Sequence, residues 1–228
     1  MKLEWAGRRA ALLTVLVTAA TAGVSDAGGY LWFGSELAGE GTIYRYDIDE
    51  GIVDTAVSPT LPPGGSHWNN MATDGVRLYL GTPTTQYLGF ADPHTGLVDS
   101  STSYSPSLAG HKEDGAFRSE SGTLWRITYS DLLHETTHSG VLVRTYAFPA
   151  ATPGLVGLEW VRDTLYATDY SAGNPAHIGI VDLDSTDNSA TFTVIPWKAG
   201  GAPPGGSPGD WTAGLAYDRE AGTLYVAN

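Results

Sequence analysis

The sequence has no cysteine and, among 228 residues, only three lysines: Lys2, Lys112 and Lys198. Without cysteine, disulfides, thiolate zinc sites and cysteine nucleophiles are all excluded. The shortage of cations goes with an excess of acid, giving a formal charge of −13 at pH 7. Surfaces that bind nucleic acid or anionic membranes neutralise phosphate with Lys and Arg, so the acidic balance argues against such partners. Long apolar runs are also missing, apart from residues 10–20. That run falls short of the ~20 residues that span a bilayer.

What surrounds the run gives it a meaning. Met1-Lys2 and Arg8-Arg9 precede it, and Ala20-Thr21-Ala22 stands before Gly23. A positive start, a short apolar stretch and an A-x-A site predict a secretory signal peptide over residues 1–22. Its removal takes away Lys2, Arg8, Arg9 and Glu4, moving the formal charge from −13 to −15. The expected location is secreted, periplasmic or cell-surface, with no membrane span after cleavage. The remaining residues are numerous enough to bury a core without disulfides.

Beyond Gly23, Leu and an aromatic stand together at Leu31-Trp32, Leu78-Tyr79, Leu124-Trp125, Leu165-Tyr166 and Leu224-Tyr225, with spacings of 47, 46, 41 and 59 residues. A near-regular period of this size marks a repeat architecture. Short apolar runs separated by turn signals such as Asp49-Glu50-Gly51, Thr73-Asp74-Gly75 and Asp92-Pro93-His94-Thr95-Gly96 make each repeat a set of strands. The fold class is therefore all-β, a β-propeller of four-stranded blades, with about four to five blades over residues 29–58, 66–106, 110–149, 154–196 and 210–228. The recurring aromatics are read as packing between blades.

The first blade lacks an innermost strand in this reading, and the last stops after its second. The Leu31-Trp32 and Leu224-Tyr225 strands then compete for one slot, which implies a chain truncated at its C-terminus. The alternative is a compact ring with an irregular join. Residues 199–209, AGGAPPGGSPG, account for the longest spacing, and their Gly/Pro content predicts a loop. Leu61 to Ser66 shares the PPGGS string.

The repeat at Gly214-Leu215-Ala216-Tyr217-Asp218 and Leu224-Tyr225-Val226-Ala227-Asn228 resembles that of YVTN-type and WD40-like bacterial exported propellers, as does the Asp92 to Gly96 hairpin. With the signal peptide, it is also similar to PEP-CTERM-type exported proteins, whose sorting signal this sequence does not contain.

In a propeller, the starts of the innermost strands converge on one mouth of the central channel. Those positions here are His67, Asn69 and Asn70, then His111, Glu113 and Asp114, then Glu159, then Asp210. Oxygen ligands from several blades are what Ca²⁺ or another divalent cation needs, and Asn69, Glu113, Glu159 and Asp210 are the candidate set. Hydrolytic propellers resembling gluconolactonases hold a divalent ion with Glu, Asn and Asp in such a channel, which implies a metal-dependent hydrolase as one reading. The leading expectation is a non-enzymatic exported module whose ligand is a protein, a glycan or a small molecule.

His134-Glu135-Thr136-Thr137-His138 fits the HExxH pattern of zinc proteases, which works only on a helix. About two turns fit between the flanking strands, and in a strand the two histidines would stand about 13 Å apart. These residues are expected to be exposed in a hairpin. Asp182 to Asn188 begins like an EF-hand loop but lacks Gly at the sixth place, so a hairpin turn is expected there.

Overall fold

The structure, a computed structural model, describes residues 2–5, 13–19, 30–35, 41–68, 70–104, 108, 112–128, 132–150, 152, 154–169, 177–195, 214–218 and 222–227; the side chains of 2–5, 13–19, 33, 35, 112, 113 and 225–227 are not among them. Within these residues every regular element is a strand. Strand β1 is Lys2–Trp5. Blade one holds β2 (Leu13–Ala19), β3 (Tyr30–Ser35), β4 (Ile43–Asp47) and β5 (Ile52–Val57), paired in that order. Blade two holds β6 (Asn70–Thr73), β7 (Leu78–Gly81), β8 (Tyr87–Ala91) and β9 (Val98–Ser103). Blade three holds β10 (Lys112–Arg118), β11 (Thr123–Thr128), β12 (Leu132–Thr137) and β13 (Leu142–Ala147). Blade four holds β14 (Leu155–Val161), β15 (Thr164–Asp169), β16 (Ile178–Asp184) and β17 (Ser189–Val194). Its outer strand meets that of blade three in one parallel bridge, Ala147 to Ser189. Blade five has β18 (Gly214–Asp218) and β19 (Thr223–Ala227), with β1 alongside β19 in parallel.

The innermost strands β2, β6, β10, β14 and β18 follow one another, and β18 lies against β2. The five central strands thus form a ring.

What joins the blades is the Leu–aromatic pair. Neighbours in a strand point to opposite faces, so the two residues pack on different blades. Leu78 faces back to Trp32 of blade one, Leu124 back to Tyr79 of blade two, and Leu165 back to Trp125 of blade three. Tyr79 faces forward, stacked on Phe117 at 6.0 Å, and Tyr166 forward onto Leu215 and Tyr217. Leu31 packs on Ala216, so the same device joins blade one to blade five. The expected packing role of these aromatics holds for Trp32, Tyr79, Trp125 and Tyr166; the Tyr225 side chain lies outside the described set.

The Asp92–Gly96 hairpin adds a polar fastening. Asp92 Oδ1 accepts the N–H groups of His94 and Thr95 at 2.8 and 2.9 Å, and the Trp32 indole N–H donates to Pro93 O at 2.9 Å. Arg45 braces the same turn, donating to His94 O at 2.6 Å while pairing with Asp54. Gly96 has φ +68, and a Cβ there would lie 2.6 Å from Val57 Cγ2 and 2.7 Å from Trp32. Gly96→Ala is expected to lower stability by about 2 kcal/mol or more, through backbone strain and overpacking. A urea titration reads this directly, and an unchanged midpoint would contradict it.

Three expectations are corrected. Blade one does have an innermost strand: residues 13–19 run antiparallel to β3, from Leu13 beside Ser35 to Ala19 beside Tyr30. Valine and threonine suit a strand as well as a signal-peptide core, so the composition of this run does not by itself announce the pairing. Nor do the first and last Leu–aromatic strands share a slot, since they are the second strands of blades one and five. Finally, the HExxH stretch is only partly exposed: His134 to Thr137 lie in β12, with His134 buried and its Nδ1 2.9 Å from Thr145 Oγ1, while His138 is exposed in the β12–β13 hairpin turn as expected. The Asp182–Asn188 stretch ends β16 and makes the hairpin turn to β17 over Ser185 to Asn188, as expected, with Asn188 at φ +59. Residues 199–209 lie outside the described set.

Candidate functional site

Each innermost strand begins where its partner ends: Asn70 faces Gly81, Lys112 faces Thr128, Leu155 faces Asp169 and Gly214 faces Ala227. These starts, with the turns between second and third strands, make one mouth of the ring.

Asp114 is fully buried in β10, on the face toward blade four. Its Oδ2 accepts the N–H of Leu158 in β14 at 2.9 Å, and its Oδ1 accepts the N–H of Gly115 at 2.7 Å. An innermost strand has one edge with no ladder partner, so its N–H groups need acceptors from elsewhere. Asp114 supplies one to each of two neighbouring strands. Burial pushes its carboxyl well above the ordinary range, and the Glu159 carboxylate adds to this; the two N–H donors and Arg126 act in the opposite sense.

Glu159 is half-buried, and its Oε1 accepts the N–H of Trp160 at 2.9 Å. His67, half-buried just before β6, has Nδ1 3.1 Å from Ser66 Oγ. Asn70, the first residue of β6, is fully buried. Asn69, His111 and Asp210 lie outside the described residues, and Glu113 falls in β10 with its side chain outside them. Asp114 and Glu159 are therefore the expected residues brought into electrostatic reach of each other. Among the described residues there is no group of three or more His, Asp or Glu placed to hold a metal.

Two features of the mouth were not anticipated. At the end of β15, Asp169 is 2 % exposed and takes three contacts with His177: Oδ1 accepts its N–H at 2.6 Å, Oδ2 lies 2.8 Å from its Nδ1, and the Asp169 N–H donates to its carbonyl at 3.0 Å. The carboxylate fixes the imidazole orientation, leaving Nε2 as the atom available to a ligand. No linear motif marks a pair separated by seven residues. The second is Arg126 in β11, 1 % exposed, with its guanidinium 4.6 Å from the Tyr104 ring centroid. Alternation was the available signal, since Arg126 shares a strand face with Leu124.

No protein-family model matches the chain, and no curated protein matches it in sequence. Solved structures do match in shape. A glutaminyl cyclase from Myxococcus xanthus superposes with a TM-score of 0.63 at 15 % identity, over 94 % of this chain and 84 % of that one. A chain of a nidogen/laminin complex gives 0.56 at 17 % identity, over 82 % and 66 %. The WD40 repeats of RRP9 give 0.51 at 14 %, over 81 % and 52 %. At such identities these likenesses concern the fold, and the fold is a β-propeller.

Proposed function

We propose that the chain is an exported binding module of the cell surface or exterior, without catalysis of its own, which takes a protein, glycan or small-molecule ligand at the mouth of the ring. The observation that carries this reading is how the mouth carboxylates are used. Asp114 serves the N–H groups of Leu158 and Gly115, Glu159 that of Trp160, and Asp169 that of His177. Side chains committed to the backbone shape a rigid rim, and a rigid rim suits recognition. No helix of the described residues is long and apolar enough to cross a membrane.

The test is a melting curve with added Ca²⁺ and with EDTA. The binding-module reading expects the same midpoint in both and in Glu159→Gln. A rise with Ca²⁺ that disappears in Glu159→Gln would overturn it in favour of the divalent-metal hydrolase. Export has its own test, the first residue of protein recovered from the medium. Gly23 supports cleavage after residue 22, which would leave β3 innermost in blade one; Met1, with the protein retained in cells, would overturn it.

One observation favours a second reading, an enzyme at the same face. Asp169 orients His177 as a carboxylate orients a general base. The Myxococcus xanthus neighbour is a glutaminyl cyclase, so peptides with amino-terminal glutamine are the first substrates to try. Loss of ammonia that depends on His177 would favour this reading, and inert peptides would favour the binding module.

A further inference from the structure

Arg126 is a buried cation that acts on the Asp114 carboxyl only through space. Its face of β11 is turned to blade two, and its Nε and Nη1 meet no hydrogen-bond acceptor. Among the described residues no carboxylate forms an ion pair with it, and both oxygens of Asp114 are taken by backbone N–H groups. The Tyr104 hydroxyl, on a residue 2 % exposed, meets no hydrogen-bonding group other than the Arg126 guanidinium among the described residues; burial pushes it up to about 12, and Arg126 acts in the opposite sense. A buried cation without an ion-pair contact costs several kcal/mol, so an anion beside it would be held strongly.

The place of this group in the ring is well defined. A Cβ at Gly81, the last residue of β7, would lie 2.8 Å from Arg126 Nη1, so the guanidinium rests against the mouth end of blade two. Tyr104 is at the same end, its N–H donating to Gln86 O at 2.8 Å just before β8. We propose that Arg126 and the Tyr104 hydroxyl seat a carboxylate group at the mouth, in the seam between blades two and three. A planar guanidinium and a neighbouring O–H offer donors to both oxygens of a carboxylate. One isolated cation in an acidic protein balances a single negative charge, whereas phosphate carries nearly two. The seat exists whether or not the mouth takes a larger ligand, so its test stands apart from those above.

Acetate is the probe, titrated into the full chain at constant ionic strength with chloride as the balancing anion, and followed by the melting midpoint. Wild type is expected to show a saturable rise. Arg126→Met abolishes it and, in acetate-free buffer, melts no lower than wild type, because a buried charge without an ion-pair contact has been removed. Tyr104→Phe raises the half-saturating acetate concentration by several-fold to about tenfold, as expected for one hydrogen bond to a charged group. No saturable response in wild type, an equal response in Arg126→Met, or tighter binding of inorganic phosphate than of acetate would each overturn the proposal. If Arg126→Met does not fold, Tyr104→Phe decides: an unshifted half-saturation overturns it.

Discussion

Trp125→Ala is expected to cost about 3–5 kcal/mol, the range for truncating a buried tryptophan. Trp125 is buried where blades three and four meet. Its ring stacks on Tyr146 at 5.7 Å and meets Trp160 edge-on at 5.3 Å, and its indole N–H donates to Thr123 Oγ1 at 3.0 Å. Each aromatic pair adds about 0.5–1.5 kcal/mol beyond the area buried. Trp160 in turn lies under the Arg118 guanidinium at 4.4 Å, so the cavity opens beneath a second contact. A domain of ordinary stability has about 5–15 kcal/mol to lose. The urea midpoint should fall steeply, with Trp125→Phe losing much less. A loss below about 1 kcal/mol would contradict the packing of this seam.

The second large effect is on pH dependence. Asp114 holds its proton more tightly in the folded chain than in the unfolded one, since burial raises its pKa. Between the ordinary carboxylate value and the raised one, the folded state binds more protons, so this residue's contribution to stability falls as pH rises through that window. Asp114→Asn removes the titration but places an amide N–H₂ against a backbone donor, at a cost of about 1–3 kcal/mol. Asparagine is thus expected to be less stable than wild type in acid, with the gap narrowing as pH rises. Asp114→Ala orphans two N–H groups and costs about 1–3 kcal/mol for each. A difference between wild type and Asp114→Asn that does not change with pH would contradict the raised pKa.

The blade repeat and the seams were legible because alternation in a strand is strict. Once Leu78 and Tyr79 are adjacent in a strand, they must face different blades, and their recurrence sets the repeat. The innermost strand of blade one was not legible, since Leu13 to Ala19 satisfies two readings with the same apolar and β-branched residues. His134 was misjudged for a related reason: polarity places a residue outside only when no partner waits within, and Thr145 waits across the β12–β13 pair. Asp114 was recognisable as a mouth residue, but its bond to Leu158 spans 44 positions and follows from the ring alone. The Asp169–His177 pair and the isolation of Arg126 depend likewise on what the fold brings near, or fails to bring near.

Amide hydrogen exchange at Leu158 and Gly115 is the most direct test of the mouth as a rim built by its own carboxylates. Both N–H groups lack a strand partner on the channel edge, so in the absence of Asp114 they would exchange like loop amides. Protection in wild type comparable to the ladder amides of β14, lost at both positions in Asp114→Ala and at one of them in Asp114→Asn while the rest of β14 stays protected, is the expected result. Rapid exchange at both positions in wild type would contradict it and free Asp114 for a ligand.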